Sequence, residues 1–149
     1  MRKLGNYFVM LTVAIMALFT TSCGGSDEDE VNLGTFIEYS NAQTFYETYA
    51  AYTGEKALID YRSADKFAAG HLNGAVNMPA TVFNTQADDA QWCVDLKAAY
   101  PTSTCLFFYG TGSFEMNKTV AGRASRIGYG KNNSRIYSKS YDDLKSIWK

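Results

Sequence analysis

The sequence predicts an α/β domain in which helices cover both faces of a parallel sheet. Short apolar runs alternate along the chain with segments whose apolar residues have helical spacing. One run, residues 105–109, is apolar at every position, which is typical of a central parallel strand. The length of 149 residues, 46% of them hydrophobic and 19% charged, suits one globular domain with a short additional segment.

Helices and strands are predicted in alternation from residue 40 onward. Ser40 and Asn41 provide a cap for the first helix, and Gly54 ends it. Ser63 is expected to cap a brief second helix that stops at Gly70. The predicted strands are residues 57–59, 75–78, 105–109 and 134–137. Three further helices are predicted. One begins at residue 88, the next ends near residue 127, and the last spans residues 141–148.

The first 22 residues have the features of an export signal. Arg2 and Lys3 precede an apolar run over residues 7–20, which is too short for a membrane span but fits a secretory signal. Residues 20–23, Thr-Thr-Ser-Cys, resemble a lipobox, where a bacterial signal peptidase cuts before a cysteine. The resemblance implies that residues 1–22 are removed and that Cys23 carries lipid, which would anchor the protein to a membrane of the cell envelope.

Residues 23–33 are predicted to form a flexible acidic tether ahead of a domain at residues 34–149. The stretch from Gly24 to Glu30 contains no apolar residue that could pack against a core. Its Cys-Gly-Gly-Ser start followed by acidic residues also resembles the surface-export tag of Bacteroidetes lipoproteins. This resemblance implies that the anchor lies in the outer membrane or at the cell surface rather than in the inner membrane.

The charge balance excludes a nucleic-acid partner. The formal net charge is -1, and loss of Arg2 and Lys3 with the signal would bring it to about -3. No cluster of Lys and Arg is present in the sequence to neutralise phosphates. The single His and three Cys form no His/Cys cluster in the sequence, so we expect neither a metal site nor a cofactor.

Residues 58–79 resemble the rhodanese-like domain, and the resemblance extends over roughly residues 36–148. The matching residues are Asp60, Arg62, Phe67, Gly70, His71, Gly74, Ala75 and Pro79. Lys66 departs from the pattern, because the family places an acidic residue before the aromatic one. The resemblance implies a three-layer fold with a mostly parallel five-stranded sheet and helices on both faces.

The matching residues suggest structural roles. Asp60 and Arg62 follow a strand beside a helix start, where a carboxylate can accept backbone amides and an Arg can hold it bidentately. Gly70 and Gly74 bracket a tight turn in which a positive φ is tolerated. His71 belongs to the scaffold in the family, and we favour that role over general-base catalysis.

The resemblance implies a catalytic cysteine at the end of the central strand, and this chain has Gly110 there. In the family, loop amides and a helix dipole stabilise the thiolate and hold anionic sulfur species. The corresponding loop here is Gly110, Thr111, Gly112, Ser113, Phe114, Glu115 and Met116. It contains no Cys and no Arg, Glu115 adds a negative charge, and the later Gly128-Tyr129 pair falls one residue beyond the family pattern.

A glycine cannot hold a persulfide, so we expect sulfur transfer to be absent. The leading hypothesis is a non-catalytic binding module for an unknown protein or small ligand, tethered outside the cytoplasm. One alternative is a divergent sulfurtransferase or redox sulfur carrier that uses Cys93 or Cys105, and the other is small-anion binding at residues 110–116. Cys105 would lie roughly 16 Å upstream along a strand. For Cys93 and Cys105 we favour two buried thiols over a disulfide.

Overall fold

A parallel sheet of five strands organises the part of the chain that the structure describes. The computed structural model describes residues 34–80 and 86–149, so Cys23 and the predicted signal and tether lie outside the described residues. The strands are β1 (Ile37–Tyr39), β2 (Lys56–Asp60), β3 (Ala75–Asn77), β4 (Cys105–Gly110) and β5 (Ser134–Ser140). Their order is β1-β5-β4-β2-β3, and every pairing is parallel. The predicted α/β class and the five-stranded parallel sheet are confirmed.

In the described residues, five α-helices lie between the strands and a sixth follows β5, with a π-helical stretch at Ser125–Tyr129 that is kinked at Gly128. The helices are α1 (Ala42–Ala51), α2 (Ala64–Ala69), α3 (Gln86–Ala99), α4 (Phe114–Ala124), α5 (Gly130–Asn133) and α6 (Tyr141–Lys145). None of the described helices has the length and the apolar composition needed to cross a membrane.

Strand alternation divides the core into two clusters, one on each face of the sheet. Ile59, Tyr61 and Phe108 point to the first face and pack against α3 and α4. Leu58 and Phe107 point to the second face and pack against residues of α1 and α6. Helices therefore cover both faces of the sheet, and β2 and β4 are central strands buried on both sides.

Only some of the predicted N-cap residues make a side-chain capping hydrogen bond. Asn41 caps α1, because its Oδ1 accepts a hydrogen bond from Thr44 N at 2.9 Å. Ser63 occupies the N-cap position of α2, but its side chain makes no capping hydrogen bond there, so the predicted Ser63 cap is wrong in this respect. Gly70 does end α2, as predicted.

Other element bounds differ from the prediction by a few residues. The sequence pattern missed β1, because a half-buried edge strand of three residues is too short for a period-two pattern. The fifth strand continues beyond its predicted end to Ser140. The final helix begins at Tyr141, as predicted, but ends sooner, at Lys145. The helix predicted to end near residue 127 continues beyond Ala124 into the π-helical stretch, and the helical conformation breaks at Gly128, where φ is 126°, so this predicted end is confirmed.

Candidate functional site

The carboxyl ends of β2, β4 and β5 meet at one edge of the sheet, where ligands bind in open parallel α/β folds. Asp60 ends β2, and it is fully buried. The Arg62 side chain returns to its carboxylate, with Nε 3.0 Å from Oδ1 and Nη2 2.6 Å from Oδ2. Arg62 N also donates to Asp60 Oδ1 at 2.9 Å. This buried, bidentate pair fixes the direction in which the chain leaves β2.

Further contacts hold the Arg62 guanidinium in one orientation. Nη2 donates a second hydrogen bond, to the carbonyl of Gly70 at 2.7 Å. The ring of Tyr141 packs against the guanidinium, with 3.8 Å from Cζ to the ring centroid. The Nε and Nη2 donors of the guanidinium are thereby taken up by Asp60 and the Gly70 carbonyl, and one of its faces is covered by the Tyr141 ring. Nη1 donates to none of the described residues.

The Tyr61 ring occupies the space in front of Gly110. Tyr61 follows Asp60 on β2, and its amide donates to Tyr109 O at 3.1 Å, which keeps it in register with the end of β4. A Cβ built on Gly110 would lie 2.3 Å from Tyr61 Cζ and 2.4 Å from Cε2, which is far inside van der Waals contact. Any side chain at position 110 therefore requires the Tyr61 ring to move.

The Tyr61 hydroxyl also takes up the backbone amides that follow Gly110. Tyr61 Oη accepts hydrogen bonds from Thr111 N at 3.0 Å and from Gly112 N at 3.3 Å. It donates to Asn117 Oδ1 at 2.7 Å, and Asn117 Nδ2 donates to the carbonyl of Ser138 at 3.0 Å. Burial raises the pKa of Tyr61, although the hydrogen bonds from Thr111 and Gly112 lower it in part. The hydroxyl is thus neutral near pH 7 and lies where an anion would otherwise meet those amides.

The predicted seven-residue loop at residues 110–116 is shorter in the structure. Gly110 belongs to β4, and Phe114 begins α4, so Thr111, Gly112 and Ser113 form the connection. Glu115 and Met116 lie in the first turn of α4 rather than in a loop. The prediction was wrong here because the helix begins directly after the N-cap Ser113, which leaves no room for a wide cradle.

Gly112 closes this connection tightly against β5. Its φ is 75°, a left-handed conformation that favours glycine. A Cβ there would lie 2.7 Å from the backbone carbon of Lys139. The turn is therefore packed on both sides, by Tyr61 and by the β5 backbone.

An open cleft of about 570 Å³ lies beside this turn, at the carboxyl edge of the sheet. Its lining is mainly polar and carries three cationic side chains and one carboxylate. The lining residues are Arg62, Lys66, Ala69, Gly70, Gly110, Thr111, Ser140, Tyr141, Asp142 and Lys145. The sequence singled out four of these residues: Arg62, Gly70, Gly110 and Thr111. It did not single out the lining residues at the end of β5 and in α6, which are Ser140, Tyr141, Asp142 and Lys145.

Charge in the cleft is only partly neutralised within the protein. Arg62 is paired with Asp60, and Lys145 Nζ lies 2.5 Å from Asp142 Oδ1. Lys145 lowers the pKa of the exposed Asp142 carboxyl through this hydrogen bond, and Asp142 in turn raises the pKa of Lys145. Lys66 makes no ion pair with any described residue. The cleft therefore keeps an excess of positive charge.

The other motif residues lie away from the cleft or serve the turn after α2. His71 is exposed, its ring stacks on Phe67 with centroids 3.9 Å apart, and its Nδ1 lies 3.1 Å from Phe67 O. Gly74 has a φ of 82°, which suits the tight turn before β3. Pro79 is half-buried just after β3. These three residues do not line the cleft.

The two cysteines of the domain are separated by the sheet. Cys105 is fully buried at the start of β4 in the second-face cluster, whereas Cys93 packs against the first-face cluster from α3. They are not joined by a disulfide, but Cys93 is half-buried, so the expectation of two buried thiols is confirmed for Cys105 and wrong for Cys93. Burial raises the pKa of the Cys105 thiol, with Arg135 lowering it in part. Within residues 34–80 and 86–149, no three His, Cys, Asp or Glu residues are grouped as a metal site would require.

Sequence reasoning missed Tyr61, Asn117, Tyr141 and Lys145. Tyr61 was detectable in principle, because alternation along β2 places its side chain on the same face as Ile59. Tyr61, directly after one central strand, and Gly110, at the end of the neighbouring strand, are complementary in size. Predicting that they meet requires the register between β2 and β4.

The family model of the rhodanese-like domain matches residues 44–147. This chain therefore belongs to the family of rhodanese-like domains. The sequence resemblance that predicted it is confirmed at this level. No curated protein shows significant sequence similarity to the chain.

Two solved structures resemble the chain. An uncharacterized protein from Saccharomyces cerevisiae is 18% identical, with a TM-score of 0.55 and coverage of 75% of this chain and 92% of that one. The human single-domain sulfurtransferase TSTD1 is 17% identical, with a TM-score of 0.45 and coverage of 78% and 99%. At this identity the likeness to the yeast protein concerns the fold alone.

Proposed function

We propose that this chain is a non-catalytic rhodanese-like binding module, in which Gly110 stands where catalytic members have their cysteine. The observation that carries the proposal is the Tyr61 ring, which lies within 2.3 Å of the position that a Cβ on Gly110 would take. The site thus lacks the nucleophile and also the space for one. The open cleft beside it remains as the surface for a ligand or partner.

The chemistry of sulfur transfer explains why the missing side chain matters. A thiolate attacks the outer sulfur of thiosulfate, the S–S bond breaks, sulfite leaves, and the enzyme keeps a persulfide. Cyanide then attacks the outer persulfide sulfur, which yields thiocyanate and regenerates the thiolate. Both steps need a thiolate at the site. Cys105 is buried inside the second-face core and Cys93 lies on α3, and neither lines the cleft.

A thiosulfate-to-cyanide sulfur-transfer assay on the purified full chain tests the proposal. We expect thiocyanate formation at the uncatalysed rate, and the same rate for Cys93→Ser and Cys105→Ser. Turnover well above background that either substitution abolishes would refute the proposal. That outcome would favour the alternative in which one of these thiols carries sulfur.

The proposal includes a lipid anchor on Cys23, which would hold the domain outside the cytoplasm. Its support is the sequence before and after Cys23, namely the apolar run, the small residues and the acidic segment. Expression with a labelled fatty acid in a bacterial host, followed by detergent phase partition, provides the test. We expect label on the chain and none on Cys23→Ala, with Cys93→Ala as the matched control that keeps it. Equal labelling of the Cys23→Ala and unsubstituted chains would rule out this anchor.

A further inference from the structure

We infer that the cleft at the carboxyl edge of the sheet binds a small oxyanion through side chains, between Arg62 Nη1 and Lys66, with Lys145 at its rim. The inference rests on the proposed function, since it assigns a ligand class to the same cleft. A carboxylate, sulfate or phosphate group shares the required chemistry.

Arg62 provides a donor whose position is set before a ligand arrives. The residue is only 7% exposed, and its Nε and Nη2 donors are held by Asp60 and the Gly70 carbonyl. The Tyr141 ring covers one face of the guanidinium. Because Arg62 lines the cleft and its Nη1 donates to none of the residues that the structure describes, Nη1 is the group that can donate to a ligand there. A guanidinium that is already immobilised loses little conformational entropy when it binds an anion.

Electrostatics in the cleft favour an anion. Lys66 has no carboxylate partner among the described residues, and it lines the same cleft as Arg62. Lys145 contributes a second ammonium group, but Asp142 neutralises it at 2.5 Å. Thr111 and Ser140 add hydroxyl-bearing residues to the lining. Charge-assisted hydrogen bonds of this kind are the stronger ones in proteins.

The backbone amides after Gly110 are excluded as the anion site. Thr111 N and Gly112 N already donate to Tyr61 Oη, and the turn that carries them is packed against β5. The anion must therefore be held by the side chains across the cleft. This distinguishes the inferred site from small-anion binding by the 110–116 loop.

Calorimetric titration of the purified full chain with inorganic phosphate, sulfate and acetate provides the test, and comparing the three identifies the preferred oxyanion. Lys66→Gln should weaken binding of the preferred anion roughly 5- to 10-fold, because it removes one charge-assisted contact. Lys131→Gln, an exposed lysine outside the cleft, is the matched control and should leave affinity unchanged. Equal affinities for the Lys66→Gln and Lys131→Gln chains, or no binding of any of the three anions, would overturn the inference.

Asp142→Asn supplies a test in the opposite direction. It removes the carboxylate that neutralises Lys145, so the preferred anion should bind several-fold more tightly. Asp143→Asn makes the same charge change at an exposed residue that does not line the cleft, and we expect a smaller effect. Unchanged or weaker binding by the Asp142→Asn chain would contradict the inference.

Tyr61→Phe separates the inferred site from one on the loop amides. The substitution frees Thr111 N and Gly112 N while keeping the ring, so a loop site would gain affinity and the inferred site would not. An affinity gain of tenfold or more would overturn the inference. Because these titrations contain no thiosulfate or cyanide, their failure leaves the proposed absence of sulfur transfer standing, and sulfur transfer would refute the proposed function independently.

Discussion

Tyr61 and Gly110 are complementary in size, and each determines what the other position can hold. The tyrosine ring lies on the first face of the sheet, where alternation along β4 would also direct a side chain from position 110. Its hydroxyl has four hydrogen-bond partners, Thr111 N, Gly112 N, Asn117 Oδ1 and, at 3.5 Å, Thr111 Oγ1. A buried phenol with these partners is a stable part of the core rather than a displaceable group.

Gly110→Ala should destabilise the domain by about 1–3 kcal/mol, because a new methyl group must displace the packed Tyr61 ring. The urea midpoint of unfolding, followed by circular dichroism, measures the change. Gly54→Ala is the comparison, since a Cβ there would lie 2.9 Å from the half-buried Tyr52 ring rather than 2.3 Å from the buried Tyr61 ring, and we expect a smaller loss. Unfolding of the Gly110→Ala chain at the same midpoint as the unsubstituted chain would mean that Tyr61 does not fill this space.

Cys105 should react slowly with iodoacetamide in the folded protein and rapidly in urea. It is fully buried, and burial raises the pKa of its thiol, so the thiolate is scarce near neutral pH. Mass spectrometry of timed samples gives the rate at each cysteine, and the half-buried Cys93 serves as an internal comparison. A Cys105 rate in the folded chain equal to that in urea would favour the sulfur-carrier alternative.

At the scale of elements, the connection from β2 into α2 depends on a buried ion pair. Arg62 pairs with Asp60 and also donates a hydrogen bond to the Gly70 carbonyl at the far end of α2. Ser63 makes no side-chain capping bond, so this network replaces the local cap that the sequence predicted. The position of α2 and of Lys66 on it follows from contacts that join residues eight positions apart.

Asp60→Asn should destabilise the domain by about 3 kcal/mol, because it leaves the buried Arg62 guanidinium without its counter-charge. Chemical denaturation measures the loss. Asp142→Asn, which breaks the exposed pair with Lys145, is the control and should lower stability far less, because solvent screens this pair. Similar losses of unfolding free energy for the two variants would show that burial does not make the Asp60–Arg62 pair more important for stability than an exposed pair.

Elements with a strong burial pattern were predicted well, and those without it were not. β4 is buried at all six positions, and its apolar run identified it within one residue. The edge strand β1 has only three residues, each half-buried or exposed, so the sequence shows no alternation of apolar and polar residues from which to predict it. The start of α4 was misplaced because the family loop suggested a longer connection, whereas Ser113 is the N-cap and the helix follows directly.

At the scale of the whole molecule, buried tyrosines link stability to alkaline pH. Burial raises the pKa values of Tyr61, Tyr109 and Tyr129, the last to about 12. In the unfolded chain these groups titrate near pH 10. Above that pH the unfolded chain has released protons that the folded chain still holds, so the stabilisation is complete below pH 10 and is lost as pH rises.

The urea midpoint should therefore fall between about pH 9 and pH 11.5. Tyr129→Phe removes one of the shifted groups, so its midpoint should fall less over the same interval, although the lost hydrogen bonds to Leu96 O and Tyr100 O lower it at every pH. Parallel pH profiles for the two chains would show that Tyr129 does not contribute to the linkage.

The sequence by itself determined the α/β class, the buried central strands, the rhodanese-like family and the residue type at position 110. These depend on local periodicity and on motif residues at fixed spacing, which are properties of neighbouring positions along the chain. Only the tertiary structure decided that Tyr61 fills the space in front of Gly110 and that Arg62, Lys66 and Lys145 share one cleft. The reason is physical: the pairing of Asp60 with Tyr109 sets which side chain of β2 meets which position of β4, and no local pattern specifies that register.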